Sequence, residues 1–173
     1  EATQISKKKH YFTISFVDTI IMNPPYTRQR DMPKEKFKKL KETSMAWFKD
    51  KSEHELYIDN KMGLHGYFLI RADHFIKNGG KIIMILPAST FTTDYTQKLL
   101  AYLKLKKYSI PYIIENVQKN TFSDDCAFKE YIIMLEKGTL TKQSTTKLIS
   151  ILQDFTNYND CEIITQIIKE NEN

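Results

Sequence analysis

A chain of 173 residues, 41% hydrophobic and 27% charged, has apolar material for one core and too little length for two comfortable domains, so a single domain over residues 1–173 is expected. No apolar run approaches the roughly 20 residues that span a bilayer, and residues 1–15 show neither a signal-peptide core nor a small-residue cleavage site, so a soluble protein without a membrane partner is expected, in the cytoplasm. The net charge of +5 permits a polyanionic partner without requiring one.

Residues 1–12, with Lys7, Lys8, Lys9 and His10, read as a loosely held lead-in to a strand at about 13–22. Its core, Val17-Asp18-Thr19-Ile20-Ile21-Met22, is a β-branched apolar run that reads as a buried strand and stops at Asn23-Pro24-Pro25-Tyr26. Each proline fixes its own φ and pushes the residue before it out of the helical region, so this loop is stiff and extended. It presents carbonyl oxygens, one carboxamide and one aromatic face at the carboxyl end of a strand, the edge where open α/β sheets bind ligands. Such groups suit an exocyclic –NH2 on a flat ring. The Asn23 carboxamide oxygen and the Pro24 carbonyl can each accept one amine hydrogen, and Tyr26 can stack on the ring.

Asn-Pro-Pro-Tyr after an Ile-rich strand resembles the catalytic motif of the amino-methyltransferases, above all the adenine-specific DNA methyltransferases of restriction-modification systems. The resemblance implies transfer of a methyl group from S-adenosylmethionine (AdoMet) to the exocyclic amine of adenine after the base is flipped out of the duplex. Asn23 and Pro24 would activate the amine, Pro25 would keep the loop rigid and Tyr26 would stack on the base. The competing reading is a diproline turn that only ends a strand. No metal is implied, since no His, Cys or carboxylate cluster has ligand spacing. Cys126 and Cys161 read as free thiols.

Downstream, Pro33 can open a Lys-rich helix toward Lys51, followed by loop to about residue 61. Residues 27–62 thus form an excursion that reads either as a lid or nucleic-acid-contacting insertion, or as a mobile surface loop. Residues 1–61 hold 13 Lys and Arg against 9 acids, which suits phosphate contacts or a solvated surface equally. Leu64, Phe68, Ala72 and Phe75 share one face of a helix expected to stop at Gly79-Gly80. Lys81–Leu86 reads as a second fully buried strand closed by Pro87, implying a right-handed parallel crossover. Helix, Gly-Gly, Ile-rich strand and Leu-Pro follow the catalytic motif in this same order in the family, a second point of resemblance.

Thr92 or Thr93 can cap the next helix, whose apolar face is Tyr95, Leu99, Tyr102 and Leu103. Ile110–Val117 is a third strand interrupted by Pro111, residues 118–128 are turn-like, and Glu130–Leu135 is a fourth strand. The short connection suits an antiparallel pair. Family members pair their last two strands so, and carry in this connection an aromatic that packs on the flipped base. Phe122 is matched to it, with Phe128 as second choice and core filling as the structural alternative. Residues 147–152 can add an edge strand within a peripheral tail, 139–173, and an acidic helix can follow Asp160.

The expected fold is α/β: a partial Rossmann-like AdoMet-dependent methyltransferase fold, its mixed sheet ending in an antiparallel pair. The glycine-rich turn and ribose-binding acid that the family places before its catalytic motif have no counterpart in the first 22 residues. The resemblance therefore covers residues 13–140 and the catalytic half of the family fold, and the chain reads as a fragment or split subunit, inactive alone. Its expected partners are DNA, an amino-terminal AdoMet-binding half, and a specificity domain or subunit. Two alternatives stay open: an amino-methyltransferase acting on RNA or a protein glutamine, and a non-catalytic DNA- or subunit-binding module with a relict pocket.

Overall fold

The computed structural model describes residues 16–27, 31–59, 61–123 and 128–152, with scattered helical positions between 162 and 170. Lys7–Lys9, His10, Cys126 and Cys161 lie outside the described residues. Five strands, β1 (Val17–Met22), β2 (Ile76–Pro87), β3 (Ser109–Asn116), β4 (Glu130–Glu136) and β5 (Lys147–Ile151), build one sheet in the order β1-β2-β4-β3-β5. β1 runs parallel to β2 and β3 parallel to β5. β4 is antiparallel to both of its neighbours. The expected parallel crossover, antiparallel pair and late edge strand are therefore all present.

The helices are α1 (Lys34–Met45), α2 (Lys51–Tyr57), α3 (Leu64–Asp73) and α4 (Gln97–Leu105). One buried cluster joins Ile82, Met84 and Leu86 of β2 and Ile133 and Leu135 of β4 to Tyr67, Leu69 and Ile70 of α3 and to Leu99, Tyr102 and Leu103 of α4. Period-2 burial along β2, with Ile83 and Ile85 only half-buried, corrects the expectation of a strand buried on both faces. β1 departs further: it lies at the sheet edge, and Ile21 is 75% exposed. A β-branched run covered on two faces and one lying at an edge have the same sequence pattern.

Four helix boundaries differ from expectation, the first being α1, which stops at Met45 rather than running toward Lys51. α3 ends at Asp73, where the N–H groups of His74 and Phe75 close the last turn on the Arg71 and Ala72 carbonyls at 3.2 and 2.9 Å. Gly79, with φ of 75°, serves β2 instead: the register jumps from Val17↔Ile76 to Thr19↔Lys81, and the segment between them bulges out. A side chain at Gly80 would put its Cβ 2.9 Å from the Asp18 carbonyl oxygen, so only glycine allows β1 this close. α2 occupies residues read as loop, opened by the Asp50 carboxylate, which accepts the Glu53 N–H at 2.9 Å. The N-cap of α4 is Thr96, whose hydroxyl makes no capping bond to the helix and donates instead to the Thr93 carbonyl, while the Thr93 hydroxyl donates to the Ser89 carbonyl at 3.0 Å.

The face expected to carry α3 into the core also needs correction. Ala72, and Leu69 and Ile76 expected beside that face, are buried in the core with Tyr67 and Ile70, whereas Phe68 is 46% exposed and with Phe75 lines an apolar hollow beside Ile20, Met22 and Trp47.

Candidate active site

The registers bring three chain segments to one edge of the sheet. Met22 pairs with Met84 and Pro87 pairs with Glu130. The Asn23-Pro24-Pro25-Tyr26 loop therefore leaves β1 where β2 ends and β4 begins. Asn23 is exposed, Pro24 buried and Tyr26 half-buried. The Tyr26 hydroxyl donates to Asn23 Oδ1 at 3.4 Å, a long contact that leaves the oxygen a second lone pair. Beyond the loop, the Thr27 carbonyl accepts the Leu64 N–H at 3.2 Å, which ties the motif to the start of α3.

The β3–β4 connection supplies the other wall. Asn116 ends β3 with its carboxamide oxygen accepting the N–H groups of Gln118 and Lys119 at 3.0 and 3.1 Å, an Asx-type turn. Asn120, at φ of 59°, reverses the chain, and its carbonyl accepts the Glu130 N–H at 2.8 Å. The Glu130 side chain then turns back under the loop. It is 0% exposed and accepts the Phe122 N–H at 2.7 Å, the Ser123 N–H at 2.9 Å and the Ser123 hydroxyl at 3.0 Å. Burial pushes this carboxyl up, but the Phe122 and Ser123 N–H groups and the Tyr26 and Ser123 hydroxyls together hold it below its ordinary value. Ser123 Oγ in turn accepts from Asn23 Nδ2 at 3.4 Å.

Aromatic groups complete the edge. The Phe128 ring lies 5.9 Å from the Tyr26 ring and tilted to it, while Phe122 is half-buried and held through its backbone. His65, in the first turn of α3, meets Tyr26 edge to face at 6.2 Å, and its Nε2 lies 3.5 Å from Thr90 Oγ1. Burial pulls the His65 imidazole down to about 4, so at neutral pH it is an uncharged wall. The four consecutive motif residues share this edge with Ser123, Glu130, His65 and Thr90. Ser123, Glu130, His65 and Thr90 were not anticipated; the one available sequence signal was Glu130, an acid opening an apolar strand.

The acceptors and ring faces at this edge fit the methyl-accepting side of an amine methylation. Among the described residues no group of three His, Cys, Asp or Glu could hold a metal, and no helix is long and apolar enough to cross a membrane.

The fold is that of the class I AdoMet-dependent methyltransferases. A Listeria monocytogenes protein assigned to that class superposes over 95% of this chain and 44% of its own, with a TM-score of 0.59 at 20% identity. The methyltransferase subunit of a type I restriction-modification system from Streptococcus thermophilus superposes over 98% of this chain and 34% of its own, with a TM-score of 0.58 at 15% identity. Residues 2–122 match the Eco57I restriction-modification methylase family, and the chain belongs to that family. It is 26% identical over 137 residues to the type II methyltransferase M.AccI of Acinetobacter calcoaceticus, a match covering 79% of this chain and 24% of that protein. The chain thus spans about a quarter of the curated relative it matches.

Proposed function

We infer that the chain is the catalytic half of a restriction-modification methyltransferase that transfers a methyl group from AdoMet to the exocyclic amine of adenine in DNA. The observation that carries this reading is the Asn23 carboxamide, held at the carboxyl edge of β1 between Ser123 Oγ and the Tyr26 hydroxyl. AdoMet, when bound, supplies an electrophilic methyl group on a sulfonium. Asn23 Oδ1 and the Pro24 carbonyl accept the two hydrogens of the amine, which withdraws its lone pair from the ring and aims it for an in-line attack. Pro25 keeps the acceptors fixed. Tyr26 stacks on the flipped base, with Phe128, and Phe122 in the same connection, closing on the base from the β4 side. DNA, an amino-terminal AdoMet-binding half and a specificity domain or subunit are the partners of this reading; the S. thermophilus neighbour, described as a subunit of a type I system, is in keeping with that. An RNA base or a protein glutamine carries a similar planar amine, and a pocket that binds without catalysis would retain the same walls. The deciding test is adenine-methyl deposition on DNA by the intact enzyme, with RNA and glutamine-containing peptide as parallel substrates. Methylation of either parallel substrate alone overturns the DNA reading, and no methylation of any of the three favours the binding module.

Two expected results follow from this arrangement. Tyr26→Phe should retain most activity, because the ring does the stacking, whereas Tyr26→Ala should lose roughly 1–3 kcal/mol of base binding. A Phe variant as poor as Ala, in a fluorescence assay of base flipping and turnover, would assign the work to the hydroxyl instead. Residues 1–173 alone should neither bind AdoMet measurably nor methylate DNA, since small-ligand pockets bury about 70–90% of a drug-sized ligand and this edge forms one wall. Isothermal titration checks this, and micromolar binding would overturn it.

A further inference from the structure

We propose that Glu130 and Ser123 form a positioning relay that sets which way the Asn23 carboxamide faces. The inference rests on the reading of Asn23 as the acceptor for the target amine, and deepens it. An ionised carboxylate only accepts hydrogen bonds. The Ser123 hydroxyl proton is therefore committed to Glu130, at 3.0 Å, and what Ser123 turns toward Asn23 is an oxygen lone pair. The only half of a carboxamide that can meet that lone pair is the –NH2, here at 3.4 Å. A flipped Asn23 would set Oδ1 against an oxygen whose proton is already used, two acceptors face to face. Asn23 Oδ1 is thus directed away from the β3–β4 connection, on the side of the Tyr26 hydroxyl at 3.4 Å, a proton Tyr26 shares with Glu130, and keeps a lone pair for the target amine.

Glu130 suits this task because it is fixed at both ends. Its N–H is held by the Asn120 carbonyl at 2.8 Å, and its backbone lies in register with Pro87 where β2 ends. Its carboxylate also takes the backbone N–H groups of Phe122 and Ser123, so the segment carrying Ser123 cannot drift from Asn23 while the carboxylate is charged. Burial without a water shell keeps the acceptor preorganised. Glu130 touches no reacting atom in this scheme; it acts on Asn23 through Ser123.

The test measures kcat and KM for DNA in the intact methyltransferase carrying Ser123→Ala, Ser123→Thr or Glu130→Gln, with thermal unfolding of each variant to verify the fold. Ser123→Ala should lower kcat about tenfold, the worth of one hydrogen bond to a polar partner, at unchanged KM, because the bond from the amine to a well-oriented acceptor strengthens as the base reacts. Ser123→Thr, which restores the hydroxyl, should recover most of that loss. Glu130→Gln should cost more than Ser123→Ala, since a carboxamide turns a donor toward groups that already donate. Wild-type kcat in Ser123→Ala, or a Thr variant no better than Ala, overturns the relay. Asn23→Ala run in parallel separates the two levels: if it keeps normal turnover, the reading of Asn23 as amine acceptor fails; if it is inactive while Ser123→Ala is normal, only the relay fails.

Discussion

Asn23→Ala in the intact methyltransferase should lower kcat by about 10²–10³-fold, the scale seen when one preorganised polar group is removed from a site of developing charge. KM for DNA should stay close to the wild-type value. The amine of an unreacted base is planar and shares its lone pair with the ring, so its hydrogen bond to Oδ1 is ordinary. As the nitrogen becomes the nucleophile and gains positive charge, the same bond strengthens, and an interaction stronger in the transition state than in the ground state appears in kcat rather than KM. Asn23 is exposed at the end of an edge strand, so the substitution removes no core packing and a loss of turnover is not a loss of fold. Steady-state methylation kinetics check the result, and near-normal kcat would remove Asn23 from the catalytic role.

Lys137→Met should destabilise the fold by about 3–5 kcal/mol, the cost of breaking a buried ion pair by removing one partner. Asp73 is almost fully buried and accepts from Lys137 Nζ at 2.8 Å, the Tyr102 hydroxyl at 2.6 Å and the Tyr108 hydroxyl at 2.8 Å. The same ammonium donates to the Asp73 carbonyl at 2.7 Å and the Ile76 carbonyl at 3.2 Å. One cation thus joins the end of α3, the start of β2 and the turn after β4. Burial pushes the Asp73 carboxyl up, yet the bonds from Lys137, Tyr102 and Tyr108 bring it below 3.8. A carboxyl depressed in the fold contributes stability that is complete above its unfolded pKa and lost as pH falls through its native value. The stability difference between wild type and Asp73→Asn should therefore narrow in acid. Urea unfolding at neutral pH and below pH 4 checks both statements, and a neutral-pH cost for Lys137→Met under about 1 kcal/mol would contradict the first.

The features legible in the sequence are those written locally. Val17–Met22 followed by Asn23-Pro24-Pro25, the run into Pro87, and Glu130–Glu136 each combine an apolar stretch with a stop signal, and their order gave the sheet its crossover and antiparallel pair. Pro111, which cannot donate to a ladder, falls in the register shift between Ser109 and Tyr112. α2 was missed although Asp50 and Glu53 carry an N-terminal signature, because its seven residues include few apolar ones. Gly79 was misassigned because a left-handed glycine can end a helix or form a bulge, and only the partner strand decides which. Asp73 and Lys137 act through partners tens of residues away, and Glu130, bonded to Phe122 and Ser123 close by in the chain, reaches Asn23 only through Ser123, 100 residues from it; no local pattern encodes such pairings.

The bond from the Leu64 N–H to the Thr27 carbonyl makes the α1–α2 excursion a closed circuit, leaving and rejoining the framework at the same point. The conformational cost of closing such a circuit rises only about 0.6 kcal/mol for each doubling of its length. Tyr57, Ile58 and Met62 on the inner side of the circuit belong to the core, so the part free to vary is the exposed face of α1, while the edge that carries Asn23 stays where it is. The circuit is thus anchored on its inner side and open to change on its outer one.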